Sequence, residues 1–328
     1  MALRSAILAA AFTVLAAIVY AMGPARIATL IRASGWTFLW MVLLYALHLC
    51  LRAYILWRSL PAHTLSLRDV LRIRFAAEAV EMLTFTGPFL AEPAKGWMFV
   101  RRGISLSDAA AAIAFEYLMY TVVAADIALA GLGVLLHRHA FSPAARDPIV
   151  VLVVCLALFT AAVLFAAITG IGLIEPSVGL AKPVLGARRA SALAARVRSA
   201  EMPLLKLLHG RPSRVGEAIA AQLTAHGLLV FEIWLLFRSL GLGGGPAVPW
   251  IVEGGVKFIN VIFFFIPGQI GAAEGVNALI VRALGFAPAV GVALSLMRRA
   301  RAAVVAGVGA IVAPSLTPTD AQPADGGA

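Results

Sequence analysis

The chain has 328 residues, of which 62% are hydrophobic and 13% charged, with a mean hydropathy of +0.94. A water-soluble domain of this length cannot bury so much apolar surface, so composition excludes that class and leaves an integral membrane protein. The formal charge of +11 points to the anionic lipid of a cytoplasmic leaflet and not to nucleic acid, because no basic soluble module stands apart from the apolar segments.

In chain order, residues 5–22 form the first apolar segment. One basic residue precedes it and no persuasive cleavage motif follows, so it reads as a retained span and not as a secretory signal. A second span is expected at 36–60. The next apolar stretch, 69–102, is interrupted by "TFTGPFLAEPAKG" (84–96), where Gly87, Pro88 and Pro93 break the pattern. Its returning arm, 93–102, would be roughly 15 Å of helix, about half the hydrocarbon thickness. A hairpin that dips in and returns to the same side fits this length better than two more spans.

Further spans are expected at 107–136 and 148–172, followed by a long basic loop, 173–215, containing "GARRASALAARVRSA". That loop reads as a topology determinant or as a helix lying on anionic lipid. A span at 216–240 precedes a second interrupted stretch, 248–285. There "FFFIPGQIGAAEG" (263–275) carries the breaks Pro267, Gly268 and Gly271. The last span is 288–313, and residues 314–328 have the composition of a disordered tail. The expected fold is therefore one all-α polytopic membrane domain, 1–313, with six spanning helices and two re-entrant broken hairpins. Cys50 and Cys155 are single and lie in apolar segments, which implies neither a disulfide nor a metal centre.

Under this topology sixteen Lys and Arg residues fall on the side of the N-terminus and seven on the other. The positive-inside rule then puts both termini in the cytoplasm.

The chain also repeats itself. "RAYILWRSL" (52–60) aligns without gaps with "EIWLLFRSL" (232–240), an offset of 180. Further on, Glu92 aligns with Glu274 and Gly103 with Gly285, an offset of 182. Repeat one covers 36–136 and repeat two 216–313, each reading span, broken hairpin, span. With one span between them the second copy must be inverted, a recurring plan among transporters.

The candidate functional residues are the charges at membrane depth. Glu92 precedes Pro93 and Glu274 follows Gly271, so each is expected at the start of a short helix, where free N–H groups favour an anion. Each could cap its helix or line a polar path; Lys95, Gln269 and Asn260 are expected to line the same path. The last span carries Arg298, Arg299 and Arg301, and each such Arg costs about 2.5–3.5 kcal/mol at the centre of a spanning helix. Repeat alignment sets Arg298 opposite Glu116 and Arg52 opposite Glu232. This suggests two structural ion pairs, Arg52 with Glu116 and Arg298 with Glu232. Arg299 and Arg301 are then left to meet an anionic head group. There is no Walker A sequence, dinucleotide loop, nucleophile elbow, HExxH or D-x-D motif, and no metal site or cofactor is expected.

Three segments, "RAYILWRSL", "GPFLAEPAKGWMFVRRGISLSDAAAAIAFEYL" and "FFIPGQIGAAEGVNALIVRALGFAPAVGVALSL", resemble the transmembrane, flippase-like region of lysylphosphatidylglycerol synthases and its stand-alone relatives. "PGQIGAAEG" is most similar to the hopanoid-biosynthesis-associated branch. The resemblance implies a multi-span bacterial inner-membrane protein that moves polar lipids, with Glu92 and Glu274 as the hairpin carboxylates and Arg298–Arg301 as a basic patch. It also leads to the expectation that the soluble aminoacyl-transferase domain is absent. The resulting reading is a non-enzymatic translocase for a polar or anionic lipid, such as a hopanoid or another isoprenoid lipid, with lipid-biosynthesis enzymes as further partners. The alternatives are a membrane-embedded lipid-modifying enzyme, such as a polyprenyl-phosphate-dependent glycosyltransferase, and a non-transporting scaffold.

Overall fold

The computed structural model describes residues 13, 16–61, 64–84, 88–138, 143–172, 178, 186–210, 212–263 and 266–313. Among these residues there is no strand. Helical residues 16–22 lead into α1 (Pro24–Ala33), α2 (Thr37–Ser59), α3 (Leu67–Thr84) and α4 (Pro88–Val100). Then follow α5 (Leu106–Arg138), α6 (Pro143–Thr169), α7 (Ala187–Gly210) and α8 (Pro212–Ser239). The chain continues through α9 (Ala247–Ile262), a 3₁₀ turn (Pro267–Gln269), α10 (Ala272–Ala283) and α11 (Pro288–Val312).

Four segments are long and apolar enough to cross a membrane: Thr37–Ser59, Leu106–His137, Arg146–Thr169 and Pro212–Ser239. They coincide with the expected spans 36–60, 107–136, 148–172 and 216–240. The expected span 5–22 falls largely outside the described residues, as does the tail 314–328. α11, at 25 residues, has the length of a span, but its three arginines set it apart from the four. Much of the expected basic loop, 173–215, is helical, because α7 occupies residues 187–210 of it. Leu204, Leu205 and Leu208 in its second half pack against Ile55, Phe115 and Ala218.

Only 22% of the apolar window of α6 is buried, against 44–50% in the other three spans. α6 therefore sits at the rim. Its exposed Val151, Leu158, Phe165 and Ile168 need a hydrocarbon environment. The interior is organised around two long helix contacts: α3 lies along α11, and α9 lies along α5, while α2 packs on α8. Both long contacts close to backbone distance at glycines. A Cβ on Gly131 of α5 would lie 2.5 Å from the Trp250 carbonyl of α9, and a Cβ on Gly309 of α11 would run into the Phe75 carbonyl of α3. Small residues at such crossings let helices gain dispersion contacts where lipid offers no hydrophobic drive.

The ends of α4 and α10 are built alike. Ile104 N–H donates to the Phe99 carbonyl and Phe286 N–H to the Val281 carbonyl, at 3.2 and 3.0 Å. Gly103 (φ 82°) and Gly285 (φ 86°) supply the left-handed residue that this helix ending requires. Each short helix thus turns at once into the helix that follows.

The first break lies earlier than the sequence suggests. α4 starts at Pro88 and runs through Pro93, so Pro93 is an interior residue and not a break, and Glu92 is not at the helix N-terminus. Pro88 takes the first helical position, where its missing N–H has no intrahelical partner to lose. Pro93 forgoes one bond in the second turn. α4 has 13 residues, about 20 Å. Gly87 lies outside the described residues.

Gly309→Val should overpack the α3–α11 crossing and destabilise the protein by about 1–3 kcal/mol. Thermal unfolding of detergent-purified protein, followed by tryptophan fluorescence, should show a lowered midpoint. Gly133→Ala, where an added Cβ meets nothing within 4 Å, should leave the midpoint in place.

Candidate functional site

The crossings bring the polar faces of eight helices together. On α2, Tyr45, His48 and Arg52 recur at helical spacing and share one side. α8 brings Gln222, His226 and Glu232; α5 brings Glu116 and Tyr120; α3 brings Arg74, Glu78 and Glu81. The short arms and their partners add Glu92 and Lys95 (α4), Glu253 and Lys257 (α9), Glu274 and Asn277 (α10), and Arg298, Arg299 and Arg301 (α11).

Three groups of ion pairs result. In the first, Arg52 Nε donates to Glu116 Oε1 at 2.5 Å, and its guanidinium lies 4.0 Å over the Tyr120 ring. The fully buried Lys95 has its Nζ 2.6 Å from Glu92 and 3.7 Å from Glu116. In the second, Arg298 bridges two carboxylates: Nε donates to Glu232 at 3.0 Å and Nη2 to Glu253 at 2.7 Å. Lys257 sits 2.9 Å from Glu253. Arg301 pairs with the other oxygen of Glu232 and lies 4.3 Å over the Tyr45 ring. The Tyr45 hydroxyl donates to Glu78, which also pairs with Arg74 at 3.4 Å.

The third group closes the turn in "FFFIPGQIGAAEG". Arg299 donates to Glu274 at 2.7 Å, to the Gly268 carbonyl at 2.7 Å and to the Gln269 carbonyl at 3.0 Å. Glu274, in the first turn of α10, accepts the Gly271 N–H at 2.7 Å. Gly268, Gln269 and Gly271 all have positive φ. Breaking a helix frees backbone carbonyls and N–H groups that lipid cannot satisfy. Here one guanidinium and one carboxylate satisfy them.

Rings join the groups at the centre. Tyr45 and His48 stack at 5.9 Å, His48 and His226 meet edge-on at 5.9 Å, and His226 and Tyr120 are 5.0 Å apart. Lys257 Nζ lies 5.5 Å from the Tyr120 ring. His48 Nδ1 is 3.1 Å from the Ala225 carbonyl and His226 Nδ1 is 2.9 Å from that of Gln222.

The result is one ionic seam. Its cations are Arg52, Arg74, Lys95, Lys257, Arg298, Arg299 and Arg301. Its carboxylates are Glu78, Glu81, Glu92, Glu116, Glu232, Glu253 and Glu274. Seven meet seven, so the seam is neutral overall. It is also packed: Lys95, Glu116, Glu232, Glu253 and Glu274 have no exposed surface. It is a closed polar plug in this conformation, where the sequence suggests an open cavity.

Several expectations are corrected here. Arg299 and Arg301 are not left unpaired, because Glu274 and Glu232 face them. Glu92 and Glu274, equivalent in the alignment, differ in environment: Glu274 is sealed, whereas the Glu92 side chain keeps 21% of its surface exposed. Lys257 and Arg74, counted from the sequence as charges flanking the spans, are buried in the seam with Lys95. The Asn260 side chain lies outside the described residues. Asp126 accepts a bond from Thr160 of α6 at 3.1 Å, away from the seam. Sequence reasoning passes over Glu253 with Lys257, although their i, i+4 spacing in an apolar helix marks a buried pair. It also passes over Tyr45, His48, Tyr120 and His226, which carry no motif. Among the described residues no three His, Cys, Asp or Glu side chains converge to hold a metal ion.

Residues 1–309 match the family model described as the lysylphosphatidylglycerol synthase TM region. The chain belongs to this family. No curated protein and no solved structure matches it. Family membership gives the coarse function: a membrane domain with a lipid-related role. The charged seam is the part of this lysylphosphatidylglycerol synthase TM domain with chemistry to offer a lipid head group.

Arg52→Ala would leave Glu116 buried with only Lys95, at 3.7 Å, to balance it. Removing one partner of a buried pair costs about 3–5 kcal/mol, so the yield of folded protein after detergent extraction should fall sharply. Exchanging the charges, Arg52→Glu with Glu116→Arg, should restore part of it.

Proposed function

We propose that the chain is a non-enzymatic lipid translocase of flippase type, moving the head group of a polar or anionic lipid across the bilayer along the ionic seam. The observation that carries this reading is the seam itself: balanced, buried at membrane depth, and assembled from both halves of the chain behind an apolar rim. Ion pairs that can exchange partners give a head group a polar route without leaving a bare charge in lipid. An acid–base enzyme needs a free carboxylate beside a bound donor; Glu116, Glu232, Glu253 and Glu274 are each held by cations, and no D-x-D or nucleotide-binding motif stands beside Glu81 or Glu92 to hold a donor. This favours transport over a glycosyltransferase-like chemistry.

In this reading α3–α4 and α9–α10 are re-entrant hairpins of an inverted repeat. The reciprocal packing of α3 on α11 and α9 on α5 supports it, as do the matching ends of α4 and α10. The protein is multi-pass in the bacterial inner membrane with both termini cytoplasmic. The segment "PGQIGAAEG" favours a hopanoid or other isoprenoid lipid as cargo. Glu92, partly exposed beside Lys95, is the carboxylate open to the head group, and Arg301 is the cation that meets it. Arg299 and Glu274 hold the second hairpin in shape.

Purified protein in liposomes should accelerate transfer of a fluorescent anionic lipid between leaflets with no nucleotide present. Glu92→Gln, which keeps a hydrogen-bond acceptor beside the buried Lys95, should slow that transfer in protein that still folds, at some cost in thermal stability, and Glu274→Gln should lower thermal stability by loosening the turn at Gly271. A new lipid product made from an added donor, with no transfer, would replace this reading by the enzyme reading. Topology is tested separately, in a variant with Cys50 and Cys155 replaced. A cysteine at Asp147 should label in intact cells and one at Ser191 only after permeabilisation. Equal labelling of both would remove the inverted arrangement.

A further inference from the structure

The seam is neutral as a whole but not part by part. Arg52 and Lys95 balance Glu116 and Glu92, and Arg299 balances Glu274. Around Glu232 and Glu253, however, stand three cations, Arg298, Arg301 and Lys257. On α3 two carboxylates, Glu78 and Glu81, share one arginine, Arg74. The extra positive charge and the extra negative charge are held apart by Tyr45, whose ring lies under Arg301 and whose hydroxyl bonds Glu78.

Each end of this imbalance has an open group. Arg301 is 5% exposed, and its Nε is buried without a hydrogen-bond partner among the described residues. Glu81 stands one helical turn from Glu78 and, among the described residues, has no hydrogen bond or ion pair. The titratable and charged groups facing Glu81 are Glu78 and Arg74 on its own helix, Arg52 and Tyr45 on α2, Lys95 on α4 and Tyr117 on α5. From α11, packed along the same helix, comes Arg301 over Tyr45. Arg52 and Lys95 are committed to Glu116 and Glu92.

An anionic head group that settles at Arg301 cancels the surplus positive charge. The surplus carboxylate on α3 is then uncompensated inside the seam, where an unpaired charge is strongly disfavoured. The least costly remedy is a proton. We propose that Glu81 is the proton-coupling site of this protein: one proton binds at Glu81 for each head-group negative charge taken up at Arg301, and the two cross together without net movement of charge. The inference rests on the translocase reading and adds its driving ion. The balance is closed, since the proton taken up on the loading side leaves the carboxylate on the release side with the lipid.

The test uses full-length protein in vesicles carrying fluorescent phosphatidylglycerol, with a lumenal pH indicator and the membrane potential clamped. One proton per lipid predicts that a gradient of one pH unit drives about a tenfold excess of the labelled lipid into the leaflet on the alkaline side, because one pH unit is one decade of proton activity. Proton uptake should accompany it. Fluorescent phosphatidylcholine, which carries no net charge, should show neither. Glu81→Gln should abolish the pH response and the proton uptake, and Glu81→Asp should keep both. The proposal is overturned if wild-type protein transfers phosphatidylglycerol equally with and without the gradient. It is equally overturned if a sodium gradient replaces the proton gradient, or if Glu81→Gln retains the response. Should Glu81→Gln fail to fold, the gradient dependence of the wild type and of Glu81→Asp decides the matter. If the wild type transfers no lipid under any condition, the translocase reading itself falls, and the inference with it.

Discussion

Charge at membrane depth must be neutralised by the protein that puts it there. Three arginines on α11 alone would cost roughly 8–10 kcal/mol on translocon scales, a sum comparable with the whole stability of an ordinary domain. The rest of the architecture follows from meeting that cost. Glu232 and Glu253 must come from α8 and α9 to flank Arg298, and Glu274 must sit at the start of α10 to face Arg299. The long contacts of α3 with α11 and of α9 with α5 carry these side chains into register. Glycines at 131, 254 and 309 let these backbones close to contact. Packing and electrostatics here are one problem, since a helix that drifted outward would uncover an ion pair to hydrocarbon.

The broken segment 263–275 shows the same logic on a smaller scale. A Pro–Gly break serves no purpose in a continuous span, but it lets a second helix begin inside the protein. The cost is exposed backbone. Arg299 donates to two carbonyls of the turn and to Glu274, and Glu274 accepts the Gly271 N–H, so an acid and a base replace about one turn of missing helical bonds. The carboxylate just past the break is therefore a structural consequence of the break. Its counterpart Glu92 closes no such turn, because α4 already begins at Pro88 and Glu92 sits a turn further in, beside Lys95. Two residues that align in a repeat have been freed and fixed to different degrees.

Much of the helical architecture was legible in the sequence because membrane helices announce themselves by length and apolar composition. Four spans lie within a few residues of their expected limits. The meeting of Arg52 with Glu116 and of Arg298 with Glu232 could be read from exchanged charges at repeated positions. What could not be read was the depth of individual residues. Lys257 and Arg74 look like flanking charges when only distance from a span end is counted, and Pro93 looks like a helix start when Pro88 is equally eligible. The uncharged members of the site, Tyr45, His48, Tyr120 and His226, were invisible because aromatic residues are common in spans, and only packing shows that four of them meet.

In the translocase reading, a repeated sequence plan with an asymmetric charge pattern is what a reversible carrier requires. Exact equivalence of the two halves would leave each carboxylate with its own cation, and nothing in the interior would respond to a ligand. Here α9 brings a lysine and a glutamate at i, i+4, whereas α3 brings two glutamates and one arginine. Within the seam the first half carries one excess negative charge and the second half one excess positive charge, with Tyr45 between them. Ion pairs in such a seam are close to degenerate: Glu232 serves Arg298 and Arg301, Glu253 serves Arg298 and Lys257, and Glu116 serves Arg52 and Lys95. Because each of these three carboxylates has two claimants, one contact can be released while another is kept. In the translocase reading, the shared partners that hold the plug closed are the same feature that would let it open.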